Sequence, residues 1–502
     1  MINFLKRVLV DDNEKEFISN NGKNLRNNKK IIIVNAVKDY YYLINYKLII
    51  KKKCYSTIFG VWPYCILSKD YKKKDFFYIK YFLKEILNRF EKKKWDKLYR
   101  SIGIKLIYNP EDKINFINKF LLFYKALFYF KKIKSKEDVF SLKVENIKIG
   151  DLVYDTYLRF RCKPTLNPDD FFLILIIYKA FIFYFGLKKI TKEINPEIFY
   201  TSYTSYIHHG ISARFFLKKK IKVISGANNS QYNKKLSSSD NLHSENFKSY
   251  KINFSKEKNK KNKIKQANLL LAMRFNGVKG NVDSYLKFSP YREVTSDFNK
   301  LENIQGIIFP HCFVDSPHGY GKMIFPDFYT WLIYTLDFFE NAKNYNIAVK
   351  THPNSTNDTL WELEKVKKKY NKFLWLDKNY SNQVIMKSNF NFGISCVGSV
   401  IYELAYFKKK SISCGDHVSM SFNFNYNAKS INQYQYFLKN RDKLKLKNFS
   451  KNEIAKFYYM YAIKNNDYEK NYSRDLDLKN YKINNSKKLI MLDNLINNKY
   501  AS

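Results

Sequence analysis

The residues best suited to chemistry in this chain of 502 amino acids stand at the exits of short β-branched runs. Thr351-His352-Pro353-Asn354 follows the run Ile347 to Lys350. Proline sets the exit of the backbone, while a histidine at a strand tip can donate to a phosphate oxygen and turn cationic beside an anion. The plainer reading is a turn that carries an incidental polar residue. A second segment runs from Gly393 to Glu403 and passes through Ser395, Cys396, Val397, Gly398 and Ser399. A strand entering a Gly-Ser turn and then a helix exposes amides near Gly398, Ser399 and Val400 to an anion, with the Ser395 and Ser399 hydroxyls as extra donors. Glu403, about one turn further, can accept from a sugar hydroxyl such as a ribose; alternatively Ser399 only caps the helix and Glu403 lies on its surface. The segment lacks the GxGxxG and GxxxxGK[ST] patterns, which disfavours ordinary dinucleotide and Walker-type ATP sites.

Three further clusters carry acid-base or binding groups. Pro310 to Gly319 contains His311, Cys312, Asp315 and His318, which could touch a phosphate or sugar, or form only a surface turn set by its two prolines. Adjacency of His311 and Cys312 does not orient a base toward a thiol, so thiol catalysis is disfavoured. Tyr203 to Gly210 offers aromatic rings, hydroxyls and the pair His208-His209 for a sugar; neighbouring histidines do not share a helical face, so a metal pair is not expected. Lys148 to Arg159 places Asp151 and Asp155 four residues apart, one to deprotonate a hydroxyl, with Arg159 able to hold an anion. The structural alternative is that Asp151 caps a helix and Asp155 pairs with Arg159.

These groups need a frame, and the apolar periodicity supplies one. Strands are expected over Lys30 to Val34, Ser56 to Val61, Ile104 to Tyr108, Glu197 to Thr201 and Ile221 to Ser225. Helical spacing recurs in Tyr78 to Phe90, Phe116 to Phe130, Pro168 to Lys189 and near Tyr206 to Lys218. After a polar stretch a helix resumes over Ile264 to Met273, and a second alternation follows. Its strands are Gly306 to Phe309, Ile347 to Lys350, Phe373 to Leu376, Phe390 to Ser395 and Ser411 to Ser413. Its helices are Phe325 to Asn341, Trp361 to Tyr370 and Ser399 to Phe407. Such alternation is the mark of α/β layers with mostly parallel sheets, so two doubly wound Rossmann-like domains are expected. The boundaries read as 1–227, a polar excursion and connection over 228–300, a second domain over 301–429 and a basic helical tail over 430–502. No internal repeat is evident.

Composition narrows the partners. The formal net charge is +45, yet only eleven of the basic residues are arginine and 79 are lysine. Arginine supplies the fork for base-edge contacts, so a sequence-specific nucleic-acid reader is disfavoured, while an anionic substrate or anionic membrane surface fits. Forty-two Tyr and forty-two Phe are enough to build substantial cores, which excludes a disordered polycation. Cysteines at 54, 65, 162, 312, 396 and 414 fit neither a CxxC zinc pattern nor a dense disulfide framework, so a reduced, cytoplasmic setting is expected. No apolar run with a small-residue cleavage site opens the sequence, so conventional secretion is not expected. Phe171 to Gly186 is apolar but interrupted by Lys179 and reads as a buried helix, with membrane insertion as the alternative.

Two Rossmann-like units, a strand followed by His352-Pro353 and the later Gly398-Ser399 to Glu403 segment together resemble the GT-B glycosyltransferases, especially bacterial capsule and surface-polysaccharide enzymes of the Kdo- and sialic-acid-transferring kind. The resemblance is best over Gly306 to Gly415. It implies two domains facing across a cleft and a nucleotide sugar, possibly CMP-linked, as donor in the second domain, and it does not account for the helical C-terminal tail. It also implies a glycan or lipid-linked acceptor in the first; the lysine-rich helices would hold such a cytoplasmic enzyme against the inner face of an anionic membrane. His352, Ser395, Gly398, Ser399 and Glu403 would then hold the donor, with His311 and His318 beside it. Asp155, His209 and Asp315 are the catalytic candidates, and neither a metal nor a further cofactor is expected. The alternatives are a nucleotide-sugar epimerase, weakened by the lack of a clear pair of acids, and a non-enzymatic scaffold for nucleic acid or another anionic polymer.

Overall fold

Ile, Val, Phe and Tyr in short runs gain most by leaving water together, and β-branching favours the extended backbone in which they do so. The computed structural model describes residues 8–21, 30–52, 56–65, 77–202, 204–226, 233–236, 247–278, 288–292, 298–319, 321–342, 345–464 and 486–499. It separates into two compact units. The first comprises Met1–Cys162, Asn167–His243 and Asn466–Ser502; the second comprises Lys163–Leu166 and Ser244–Asn465. Residues 430–502, expected as one basic tail, therefore divide between the units.

In the first unit the strands are β1 (Lys30–Asn35), β2 (Ser56–Val61), β3 (Ile104–Tyr108), a small hairpin β4 (Lys143–Val144) and β5 (Ile147–Lys148), then β6 (Ile198–Thr201), β7 (Lys222–Gly226) and β8 (Asn233–Lys235). The sheet order is β3-β2-β1-β6-β7-β8. All neighbours are parallel except β8, which runs antiparallel to β7. Ile32 to Asn35 of β1 are all buried, as expected of a parallel strand covered on both faces. The apolar helix Phe172–Glu193 is a buried core helix, and its Lys179 is matched by Glu85 at 2.5 Å and Glu111 at 3.0 Å. That match explains why a lysine interrupts the run. Gly186 is required there, because a Cβ would meet the Pro110 carbonyl oxygen at 2.1 Å.

The second unit has β9 (Gly306–Ile308), β10 (Ile347–Lys350), β11 (Leu374–Leu376), β12 (Phe392–Ile394), β13 (Lys410–Ser413) and β14 (Tyr426–Asn427), in the order β11-β10-β9-β12-β13-β14 with every pair parallel. Its core packs Trp331, Leu332 and Leu336 of the helix Phe328–Glu340 and Leu363 and Val366 of the helix Asn357–Lys369 against the sheet. Both helices begin away from the expected residue. Asp327 accepts from the Thr330 amide and Thr356 from the Thr359 amide, so these caps set the starts.

The doubly wound α/β class expected from the alternation is thus present twice, with the same strand order in each unit. In that order the chain leaves the sheet centre in opposite directions from the first and fourth strands. The crevice between their carboxyl ends is where ligands bind such sheets. The two crevices lie beyond β1 and β6 and beyond β9 and β12.

Candidate functional site

Beyond β9 and β12 the two loops are tied together by His311. Its Nε2 lies 2.7 Å from the Val397 carbonyl oxygen and 3.2 Å from Ser395 Oγ. A ring nitrogen that close to a carbonyl carries the proton, so His311 donates from Nε2 and keeps its lone pair on Nδ1. The ring stacks on Phe328 with centroids 4.5 Å apart. Burial lowers the His311 pKa to about 4, against the raising effects of the Val397 bond and of Asp315, so the ring is neutral near pH 7. Gly398 lies under it with φ +111°, and a Cβ there would come within 2.8 Å of His311 Cε1. Only glycine satisfies both the backbone angle and the approach.

The tip of β10 adds a second set of donors. Lys350 is buried, donates to its neighbour's carbonyl at Thr351 (2.8 Å), and burial pushes its pKa down to about 8. His352, half-buried, accepts at Nδ1 from the Asn354 amide at 3.1 Å, which leaves Nε2–H as its donor. Burial, then the neighbouring His311, depress its pKa, and the His311 and His352 ring centroids are 6.2 Å apart. The structure thus brings His311, His352, Ser395 and Gly398 of the sequence set to one edge, with Lys350 as an addition.

Glu403 sits differently from the expected ribose acceptor. It is buried, with Oε1 taking Ser399 Oγ at 2.9 Å and Arg274 at 3.1 Å, and Oε2 taking the Tyr291 hydroxyl at 2.7 Å. The carboxylate fastens the two-turn helix Val400–Tyr406 to the helix Lys260–Phe275 and so fixes where Ser399 stands. Arg274 and Tyr291 were missed in the sequence; an arginine inside the apolar run Leu269 to Phe275 was the available signal. Asp315 is exposed, and His318 lies half-buried in the turn Pro317–Gly319. Cys312 Sγ rests 3.3 Å from Thr359 Oγ1, on a hydroxyl and not against an imidazole. Beyond β13 stands another residue that sequence reasoning missed. His417 is fully buried, bonded through Nδ1 to Ser419 Oγ at 3.1 Å, and its Nε2 has no hydrogen-bond partner among the described residues.

The first unit's crevice is built on the same plan. The strand register places Asn35, Thr201 and Ser225 side by side at the ends of β1, β6 and β7. Asn35 Nδ2 donates to Thr201 Oγ1 at 3.0 Å and lies 3.2 Å from His209 Nδ1, which therefore accepts and leaves the His209 proton on Nε2. Both histidines sit in a π-type turn, Tyr206–Gly210, a feature frequent at functional sites. The helix Gly150–Arg161 packs on this turn, where the Ile207 amide donates to Thr156 Oγ1 at 3.0 Å. Asp155 is buried on that helix. Its neighbour Asp151 is held by two hydrogen bonds from Arg214, at 2.7 and 2.5 Å. Burial lowers the His208 pKa to about 3, with Arg159 and Lys38 adding to the effect. Asn35 Oδ1, Thr204 Oγ1, Ser212 Oγ and Ser225 Oγ are buried with no hydrogen-bond partner among the described residues. Tyr203, part of the expected sugar-binding loop, lies outside the described residues, as do Tyr320 and Cys54. The catalytic candidates are distributed between units, Asp155 and His209 in the first and Asp315 in the second. Among the described residues no group of three or more His, Cys, Asp or Glu side chains is placed to hold a metal ion.

No family model matches the chain, and no curated protein matches it. Among solved structures it is similar to a UDP-N-acetylglucosamine 2-epimerase, with 10% identity over 95% of this chain and 98% of that one, at a TM-score of 0.24. It is similar also to the UDP-GlcNAc 2-epimerase from Neisseria meningitidis bound to UDP-GlcNAc, with 8% identity over 93% and 100% of the two chains and a TM-score of 0.22. A third is Anabaena Alr3699/HepE in complex with UDP and glucose, with 8% identity over 94% and 99% and a TM-score of 0.23. Against the glycosyl transfer first expected from the sequence, two of these structures are named as nucleotide-sugar epimerases and none for transfer to a glycan or lipid-linked acceptor.

Proposed function

We propose that the protein is an enzyme that epimerises the sugar of a nucleotide sugar. The observation that carries this reading is the edge beyond β9, β10 and β12, where Lys350, the Nε2–H of His352 and the backbone at Gly398 stand about one turn, the Ser399 hydroxyl being committed to Glu403. Donors and the Lys350 ammonium in that arrangement suit a diphosphate, whose charge would also draw a proton onto His352. His311, whose Nε2–H is committed to the Val397 carbonyl, positions the turn and does not contact the ligand through that atom. Epimerisation needs no second substrate. A base removes a proton from a carbon on one face of the sugar, an acid returns one on the other, and substrate and product are isomers. Asp315 and His318, in the same unit as that edge, are the candidates for that proton traffic.

The test is to incubate the protein with UDP-, CMP- and GDP-sugars in D2O and follow the sugar protons by NMR. Loss of one carbon-bound proton signal and growth of a second isomer, with no acceptor added, are expected. His352→Ala and Lys350→Met should weaken nucleotide binding about tenfold, the loss of one charge-assisted contact. Absence of exchange together with absence of a thermal shift for every nucleotide sugar would refute the proposal.

A further inference from the structure

The helix Phe116–Lys132 is turned inside out relative to an ordinary surface helix. Of its residues only Ala126 is fully buried, while Phe116, Ile117, Phe120, Leu121, Tyr124 and Phe128 are 83, 69, 54, 58, 56 and 57% exposed. At about 100° per residue these six fall within roughly 140° of one another, one continuous apolar face. Tyr129 holds the helix from the other side, meeting Phe181 with ring centroids 5.5 Å apart, while Phe130, about 40° from Phe116 around the helix, meets Phe171 at 5.8 Å. Phe171, itself 70% exposed, extends the bare surface onto the neighbouring segment. Isolated exposed apolar residues are ordinary, but a row of aromatic rings on one face marks an interaction surface.

The charge on the helix selects the occupant. Lys119, Lys125, Lys131 and Lys132 are its only ionisable side chains apart from tyrosine, and it contains no acid. Lys132 lies over the Phe128 ring at 4.1 Å, so its ammonium rides at the border of the apolar face. Two copies meeting through this face would bring like charges together in a chain whose net charge is already +45. An anionic bilayer surface accepts both features, with rings entering the acyl boundary and lysines meeting the headgroups. Among the described residues no helix is long and apolar enough to cross a membrane, so the contact lies in the plane of the interface.

We infer that the helix Phe116–Lys132 docks the protein on an anionic lipid surface through Phe116, Ile117, Phe120, Leu121, Tyr124 and Phe128. This inference is independent of the nucleotide-sugar reading, since the face is remote in sequence from the loops that carry it and its test uses no nucleotide. The experiment is co-sedimentation of the full chain with vesicles of phosphatidylcholine alone and of phosphatidylcholine mixed with phosphatidylglycerol. Binding to the mixed vesicles only is expected, and Phe116→Ser/Phe120→Ser/Phe128→Ser should lower it about tenfold or more. Because the three rings are exposed, that variant should keep the thermal midpoint of the parent. Lys131→Glu/Lys132→Glu, which leaves every ring intact, should lower binding as well. Failure to sediment with either vesicle, equal sedimentation with both, or unchanged binding of the triple variant overturns the assignment. A concentration-dependent dimer in sedimentation velocity that the triple variant abolishes overturns it too, since the face would then join two copies.

Discussion

Gly398→Ala is the sharpest probe of the second unit's turn. The substitution meets two separate penalties. Holding an alanine at φ +111° costs about 1–3 kcal/mol, the price of a backbone region that side chains avoid. The new Cβ would also stand 2.8 Å from His311 Cε1, so the ring must move. Its movement is opposed by the Phe328 stack at 4.5 Å and stretches the 2.7 Å bond to the Val397 carbonyl, worth about 1–1.5 kcal/mol. The total loss is therefore about 2–4.5 kcal/mol. Urea unfolding of the parent, Gly398→Ala, His311→Ala and the double variant separates the two parts. In the His311→Ala background the ring is gone, so Gly398→Ala should cost only the backbone strain, and the cycle should return a coupling of about 1–1.5 kcal/mol. A coupling below about 0.5 kcal/mol would refute the claim that His311 packs on the turn.

Two other outcomes test the same frame. Glu403→Gln keeps the shape but removes the charge that Arg274 faces inside the protein, and should lower unfolding free energy in urea by about 3–5 kcal/mol. In acid, stability should respond to buried histidines. Burial holds His208 and His417 at about 3, below the ordinary 6.5, so between those values the unfolded chain binds protons that the folded chain refuses. Stability is then intact above about pH 6.5 and falls as pH drops toward 3, by about 1.4 kcal/mol per pH unit for each histidine. His417→Gln should remove one such share of the slope, whatever its stability at pH 7; an unchanged slope in urea unfolding between pH 6 and 4.5 (about the middle of that window) would show that His417 is not held neutral.

The core strands were legible because a parallel strand buried on both faces is written as a local apolar run. β2, β3 and β10 coincide with the runs Ser56 to Val61, Ile104 to Tyr108 and Ile347 to Lys350. β8 and β14 were not foreseen: Asn233–Lys235 and Tyr426–Asn427 are short and polar, and pairing with a neighbouring strand is what extends them. The candidate site residues divide in the same way. His352 and Gly398 announce themselves by type and by the strand before them. Asn35, Lys350 and His417 do not, since an Asn or Lys ending a strand and a His in a polar stretch are common. The lysine excess raised the expectation of an anionic partner without saying where it would bind, because lysine is spread along the whole chain.

By itself, the sequence determined that this chain builds two doubly wound α/β units and that its polar, glycine-bearing turns follow strands, because strand burial and turn chemistry are properties of a few consecutive residues. Tertiary structure alone decided which turns share a crevice. The order β11-β10-β9-β12-β13-β14 puts residues 311 and 395 in hydrogen-bond reach although 84 positions separate them, and it commits Glu403 to Arg274 across 129. Strand order and buried charge pairing join segments that are distant along the chain, and no local pattern of residues encodes which segments will meet.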